Sequence, residues 1–173
     1  MPRSAEPIQL LVDRIATPLG EFALVVDAAG ALHAAEWTDC WHRLERSLRL
    51  LHGSYALKNA RDPGGHSAAL RAYFRGDIAA IDKLAVAKIG TDFQQLMWRN
   101  LRKVRPGATV TYGDFAKRMG KPAAIRAVGA ANGANPISIV VPCHRLVGSD
   151  GSLVKYGGGL QRKAWLLAHE RAS

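Results

Sequence analysis

An α/β chain built of two unlike parts is what the sequence predicts, on three observations. The first third alternates short apolar runs with turn signals. Beyond residue 90 the punctuation is that of helices. The surplus positive charge is confined to this second part: residues 1–89 carry 11 Lys+Arg against 10 Asp+Glu, a net of +1, and residues 90–173 carry 13 against 4, a net of +9. Scattered basic residues would explain the total of +10 but not the split. A neutral unit over 1–88 joined to a polyanion-binding unit over 89–173 explains both, with the boundary near Lys88–Gly90.

In the first unit, Ile8–Ile15, Phe22–Asp27 and Ala31–Trp37 are short apolar runs. Thr17-Pro18-Leu19-Gly20 and Ala28-Ala29-Gly30 divide them, which predicts a meander sheet. Trp41, Leu44, Leu48 and Leu51 then recur at helical spacing within Cys40–Leu51, and Gly53 ends that helix. Asp62-Pro63-Gly64-Gly65 is a loop, followed by a helix over Ser67–Phe74 that stops at Gly76.

In the second unit, Thr91-Asp92-Phe93-Gln94 is a capping box and Phe93, Leu96, Met97 and Leu101 form one apolar face. Arg105-Pro106-Gly107 ends this helix. Thr111-Tyr112-Gly113-Asp114 opens a short helix closed by Gly120, and Pro122 suits the first turn of another that runs to Asn132 and is stopped by Asn135-Pro136. Helix, three-residue turn, helix is the helix-turn-helix pattern. Ile137–Val141 follows as an extended run, then a hairpin through Ser149-Asp150-Gly151-Ser152, which gives the unit a winged look, and a last helix over Leu160–Glu170 that packs through Leu160, Trp165 and Leu166.

The second helix of that pair carries a single long polar side chain, Arg126, among alanines, and an interior Gly129. Glycine weakens a helix, so its presence calls for close approach of another backbone, protein or DNA. A helix that reads bases in the major groove normally presents several long side chains. This one suits shallow, sequence-blind docking, plausibly in a minor groove, with Arg126 as the lone probe. The bland alternative is a tightly packed scaffold helix with Arg126 at its rim.

Pro142-Cys143-His144-Arg145 directly follows the apolar run. A thiol reacts only as thiolate, and His144, Arg145 and a backbone turn are the candidates to favour that form. Neighbouring strand side chains point to opposite faces, so a direct Cys143–His144 pair needs turn or helical geometry, or a bridging water. Glu170, a carboxylate at the unfavourable end of its helix, is the candidate orienter of His144. Taken alone, Cys143 would more often be a buried structural thiol, and Glu170 a solvated terminal residue.

The apolar runs are too short for a membrane span, and Met1–Glu6 lacks a signal-peptide core, so the cytoplasm is expected, with Cys40 and Cys143 reduced rather than bridged. Cys40 reads as a small, partly buried hydrophobe. Neither cysteine has ligand-friendly spacing, so no metal is expected.

Arg126-Ala127-Val128-Gly129, Asn135-Pro136, Val141-Pro142-Cys143-His144-Arg145 and Tyr156-Gly157-Gly158-Gly159, in this order and spacing, resemble the O6-alkylguanine-DNA alkyltransferases, also called methylated-DNA–protein-cysteine methyltransferases. The resemblance spans Thr91–Glu170, with a weaker echo in Ile15–Gly20, and is strongest to the constitutive bacterial members. It implies an N-terminal ribonuclease-H-like α/β domain and a C-terminal winged helix-turn-helix domain. It implies single-turnover repair without a cofactor: irreversible transfer of an alkyl group from O6-alkylguanine, or O4-alkylthymine, in duplex DNA to Cys143 after base flipping. Cys143, His144, Glu170, Asn135 and Tyr112 would be the catalytic set. Arg126, Ala127, Gly129 and Tyr112 would meet DNA, and Tyr156, Gly157, Leu146 and Lys163 would form the substrate pocket. The implied partner is alkylated double-stranded DNA, without membrane or obligate protein partner, and with room for cooperative self-association on DNA.

One departure stands out: Val154-Lys155 precede Tyr156 where the family usually carries Gly, or Asn after a Gly. Lys155 there is a candidate phosphate contact. The rival functions are a non-catalytic alkyl-lesion sensor, a DNA-binding regulator and a Cys/His hydrolase; the last leaves the +9 half unexplained.

Overall fold

The computed structural model describes residues 6–173, so the Met1–Ala5 part of the leader reading lies outside the described residues. Strands β1 (Ile8–Thr17), β2 (Gly20–Val26) and β3 (Leu32–Trp37) form the expected antiparallel meander. Asp27 shapes its second turn by accepting the Ala29 and Ala31 amides, each at 2.9 Å. The interior of β2 is buried on both faces, which is why Phe22-Ala23-Leu24-Val25-Val26 reads as a continuous apolar run rather than an alternation. Helix α1 (Trp41–His52) covers one face through Leu44 and Leu48. The opposite face sends Phe22, Leu24 and Trp37 into a core shared with α2 (His66–Phe74) and with the C-terminal half.

A fourth strand, β4 (Tyr55–Asn59), pairs parallel with β1 and completes the order β3-β2-β1-β4, a mixed sheet. It is short, only partly buried and ends in Lys58-Asn59, so it lacks the longer apolar run of the others, and the sequence reading missed it. The outer edge of β3 is covered by later chain from both units. Leu32 bonds the Ala85 carbonyl and its own carbonyl accepts from Ala87, both at 2.9 Å. Ala35 bonds Pro136 and Ser138 in the same way, also at 2.9 Å. That last pairing docks the segment leading to Cys143 directly on the sheet.

Helix α3 (Asp92–Leu101) starts at the expected capping box: Gln94 donates its amide to Thr91 Oγ1 at 3.2 Å, and Thr91 donates to Gln94 Oε1 at 2.9 Å. The short strand β5 (Val110–Thr111) leads into α4 (Tyr112–Arg118), which Thr111 caps. The partner helix α5 (Ile125–Gly133) begins later than expected. Lys121 and Ala124 close a turn before it, so Pro122 lies in a connection longer than three residues instead of in the helix.

Two further expectations are corrected. Ile137–Val141 is not extended: Ile137 makes one bridge to Ala35 and the chain then turns, with Val141 N–H bonded back to the Ile137 carbonyl at 3.1 Å. Tertiary bonds override the β preference of these branched residues. Ser149–Ser152 does not join an antiparallel hairpin. Strand β6 (Leu146–Val147) pairs parallel with β5, and Gly148 bonds the Ser152 carbonyl to close a local turn. In the final helix α6 (Leu160–Arg171), Leu166 and Leu167 are buried, but Leu160 is 47% exposed and does not pack as expected. Among the described residues no helix is long and apolar enough to cross a membrane, and both cysteines are free thiols.

Candidate active site

Asn135 shapes the turn that delivers the cysteine. Its side chain accepts the Ile137 amide at 3.0 Å and donates to the Val141 carbonyl at 2.8 Å. This folds the apolar run back on itself and holds Ile139 at φ 71°, a conformation that strains a β-branched residue. Cys143-His144-Arg145 then forms a single 3-10 turn, so Cys143 and His144 have the turn geometry that a strand would have denied them.

Cys143 is 7% exposed and borders a cleft of about 940 Å³, also lined by Tyr112, Arg126, Asn135, Tyr156 and Gly157. Burial pushes its thiol up to about 11, against the lowering effect of Asn135. The resting sulfur is therefore protonated at neutral pH and needs a base. His144 is wholly buried, and burial lowers its pKa, which keeps the ring neutral. Its Nε2 lies 2.8 Å from Glu170 Oε1. An ionised carboxylate only accepts, so Nε2 carries the proton and Nδ1, which has no partner among the described residues, is left as the basic nitrogen.

Glu170 is 4% exposed. It accepts from His144, from Arg145 through two bonds, from the Tyr73 hydroxyl at 2.9 Å and from the Gly107 amide at 3.2 Å. Burial would raise its carboxyl, but the bonds from His144 and Arg145 hold it well below the usual carboxylate range. Arg145 is thereby engaged away from Cys143, which removes it from the candidate thiolate stabilisers.

Above the cleft, α5 presents a smooth outer face. Arg126 and Ala127 are exposed, and an added Cβ at Gly129 would meet nothing within 4 Å. Among the described residues no backbone approaches Gly129, so of the two explanations for this glycine the protein one finds no support there and the face stays open. Lys117, Arg118, Lys121 and Lys155 are exposed as well, so these cations of the second half stand at the surface, unlike buried Arg145 and Lys163.

Leu146 and Lys163 are buried and absent from the cleft wall. The Lys163 ammonium donates to the Leu146 carbonyl and, at 2.8 Å, to the Val154 carbonyl, so it closes the 147–153 segment and anchors the chain two residues before Tyr156. Burial raises the Tyr156 phenol well above its usual range, with neighbouring Cys143 adding to the effect. Lys155, just before it, sits at φ 36°, where Gly or Asn would be at ease. The sequence reading missed four participants. Asn132 donates to the Tyr112 hydroxyl and to the Cys143 carbonyl, both at 3.3 Å, and Tyr73 bonds Glu170. Glu36 and Arg43 come from the N-terminal half. The one available signal was Glu36, a lone carboxylate in an apolar strand.

Fold and site together define a class: a DNA-binding helix pair set over a buried thiol whose imidazole is held by a carboxylate, on a chain that also carries a mixed sheet. Residues 92–172 match the family described as the 6-O-methylguanine DNA methyltransferase, DNA binding domain. The methylated-DNA–protein-cysteine methyltransferase of Salmonella typhimurium is 49% identical over 165 residues, 94% of this chain and 96% of the relative. That of Mycobacterium bovis is 45% identical over 132 residues, 73% of this chain and 79% of the relative. A crystal structure of Mycobacterium tuberculosis OGT in complex with DNA superposes with a TM-score of 0.77 at 33% identity, covering 95% of this chain and 94% of that one. The chain belongs to the methylated-DNA–protein-cysteine methyltransferase family.

Proposed function

We propose that this protein repairs DNA by direct reversal, with Cys143 taking the alkyl group from O6-alkylguanine, or O4-alkylthymine, once per molecule. The observation that carries the reading is Cys143 in the wall of a cleft that α5 also lines, with His144 and its carboxylate partner Glu170 buried behind it. His144 Nδ1 takes the thiol proton by way of a water. The thiolate attacks the alkyl carbon, the carbon–oxygen bond breaks, and guanine leaves with the electron pair and is protonated. The thioether has no hydrolytic exit, so the protein is consumed.

The alkyl carbon lies inside the duplex, so the nucleotide is extruded into the cleft, with Arg126 filling the gap and Tyr112 steering the turn. Tyr156 and the Gly157 amide face the flipped base and stabilise charge as it departs. Phosphate contacts from the +9 half supply most of the affinity, as suits lesions that arise in any sequence. In this division residues 1–88 buttress the site and 89–173 bind DNA. The reading places the protein in the cytoplasm and allows copies to assemble side by side on a duplex.

Intact-protein mass spectrometry after exposure to an O6-methylguanine duplex tests it. One added methyl, mapped to Cys143 and absent from Cys143→Ala, is expected; an unmodified wild-type protein refutes the reading.

A further inference from the structure

Buried Glu36 and half-exposed Arg43 form a link between the sheet and the cleft that the chemistry above leaves unused. Glu36, on β3, is 4% exposed. It accepts the Trp37 amide at 3.0 Å and lies 3.5 Å from Arg43 Nε. Burial raises its carboxyl, so its place in an apolar strand is costly. With Arg43 half-exposed and 3.5 Å away, the pair adds little stability to set against that cost.

Arg43, on α1, reaches the other way. Its Nη2 donates to the Gly133 carbonyl, the last residue of α5, at 3.4 Å. Its guanidinium also lies against Gly157, where a Cβ would come within 2.4 Å of it and push the arginine from its present place. Arg43 lines the Cys143 cleft and also a second cleft of about 800 Å³ between α1 and α3, and thus stands as the partition between them. Neither of these contacts is short, and its Nε has no hydrogen-bond partner among the described residues.

We propose that Arg43, oriented by Glu36, is a positioning residue of the acceptor cleft: it ties the Gly157 loop to the end of α5 and holds a positive charge beside the space where thiolate and leaving purine form. This rests on the reading of Cys143 as acceptor. Cys143 is faced by Glu36 from β3, Arg43 from α1, Lys163 from α6, Tyr112 from α4 and Tyr156 from its loop, with neutral His144 next in chain. Arg43 and Lys163 favour the thiolate and Glu36 opposes it. The two members of the link therefore act on the sulfur with opposite sign.

The test combines single-turnover transfer from O6-methylguanine duplex and from free O6-benzylguanine with the pH profile of iodoacetamide labelling, read at the Cys143 peptide. Wild type, Arg43→Ala, Arg43→Lys and Glu36→Gln are compared, each after a thermal melt confirms folding. Arg43→Ala is expected to slow both transfers at least tenfold and move the labelling profile up by roughly one pH unit. Glu36→Gln moves the profile down, and Arg43→Lys recovers most of the wild-type position. Profiles that stay fixed, or move together, overturn the proposal. So does an Arg43→Ala defect confined to duplex substrate, which would make Arg43 a phosphate contact. If wild type takes no methyl, the reading of function fails instead, while the labelling profiles still report on the link.

Discussion

Arg145 Nε donates to Glu170 Oε2 at 3.0 Å and Arg145 Nη2 to Glu170 Oε1 at 2.9 Å, a two-pronged pair buried beneath His144. The arginine of the Pro142–Arg145 motif thus serves the carboxylate that holds the imidazole, and not the thiol. Glu170→Ala would leave a buried guanidinium uncompensated and is expected to cost about 3–5 kcal/mol. Chemical denaturation measures it, and a loss under 1 kcal/mol would contradict the geometry.

The same carboxylate sets an acid limit. Its folded pKa lies below the unfolded value, so between the two the unfolded chain binds more protons. Its contribution is complete above about pH 5 and is lost as pH falls further. Neutral, buried His144 adds a loss that begins as pH drops through about 6.5. The stability gap between wild type and Glu170→Gln should therefore hold from pH 7 to about pH 5 and narrow from there to about pH 3 in urea melts. A gap independent of pH would refute the assignment.

Asn135→Ala removes the bonds to the Ile137 amide and the Val141 carbonyl, at roughly 1–3 kcal/mol per orphaned buried group. It also frees Ile139 from its strained φ. Cys143 should lose its position, and single-turnover transfer should slow at least tenfold while DNA affinity, read by gel shift, changes little. A large loss of affinity with normal transfer would point to another role.

Lys155→Asn tests the departure before Tyr156. Asparagine tolerates the left-handed backbone that Lys155 is forced to adopt, so the variant should gain about 0.5–1 kcal/mol and keep transfer. A destabilised variant would show that the lysine side chain does more for the loop than its backbone costs.

Arg126→Ala separates flipping from chemistry. Arg126 is exposed on α5, and Cys143 lies in the wall of the same cleft. Transfer from duplex should fall far more than reaction with free O6-benzylguanine, which needs no extrusion. Equal losses on the two substrates would remove Arg126 from that role.

What the sequence determined by itself is local or compositional. The three-strand meander, the Thr91 capping box, the charge split and the Cys143 motif each depend on residues a few positions apart, whose preferences survive folding unchanged. What only the tertiary structure decided is long-range. The apolar run before Cys143 turned instead of extending, because Asn135 and the edge of β3 claimed its backbone groups. β4 exists because α1 returns the chain to the free edge of β1. Glu170 draws on Tyr73, Gly107, His144 and Arg145, while Arg43 and Glu36 enter the site from the other half. A buried polar group takes whichever partner the fold brings to it, and sequence spacing does not encode that choice.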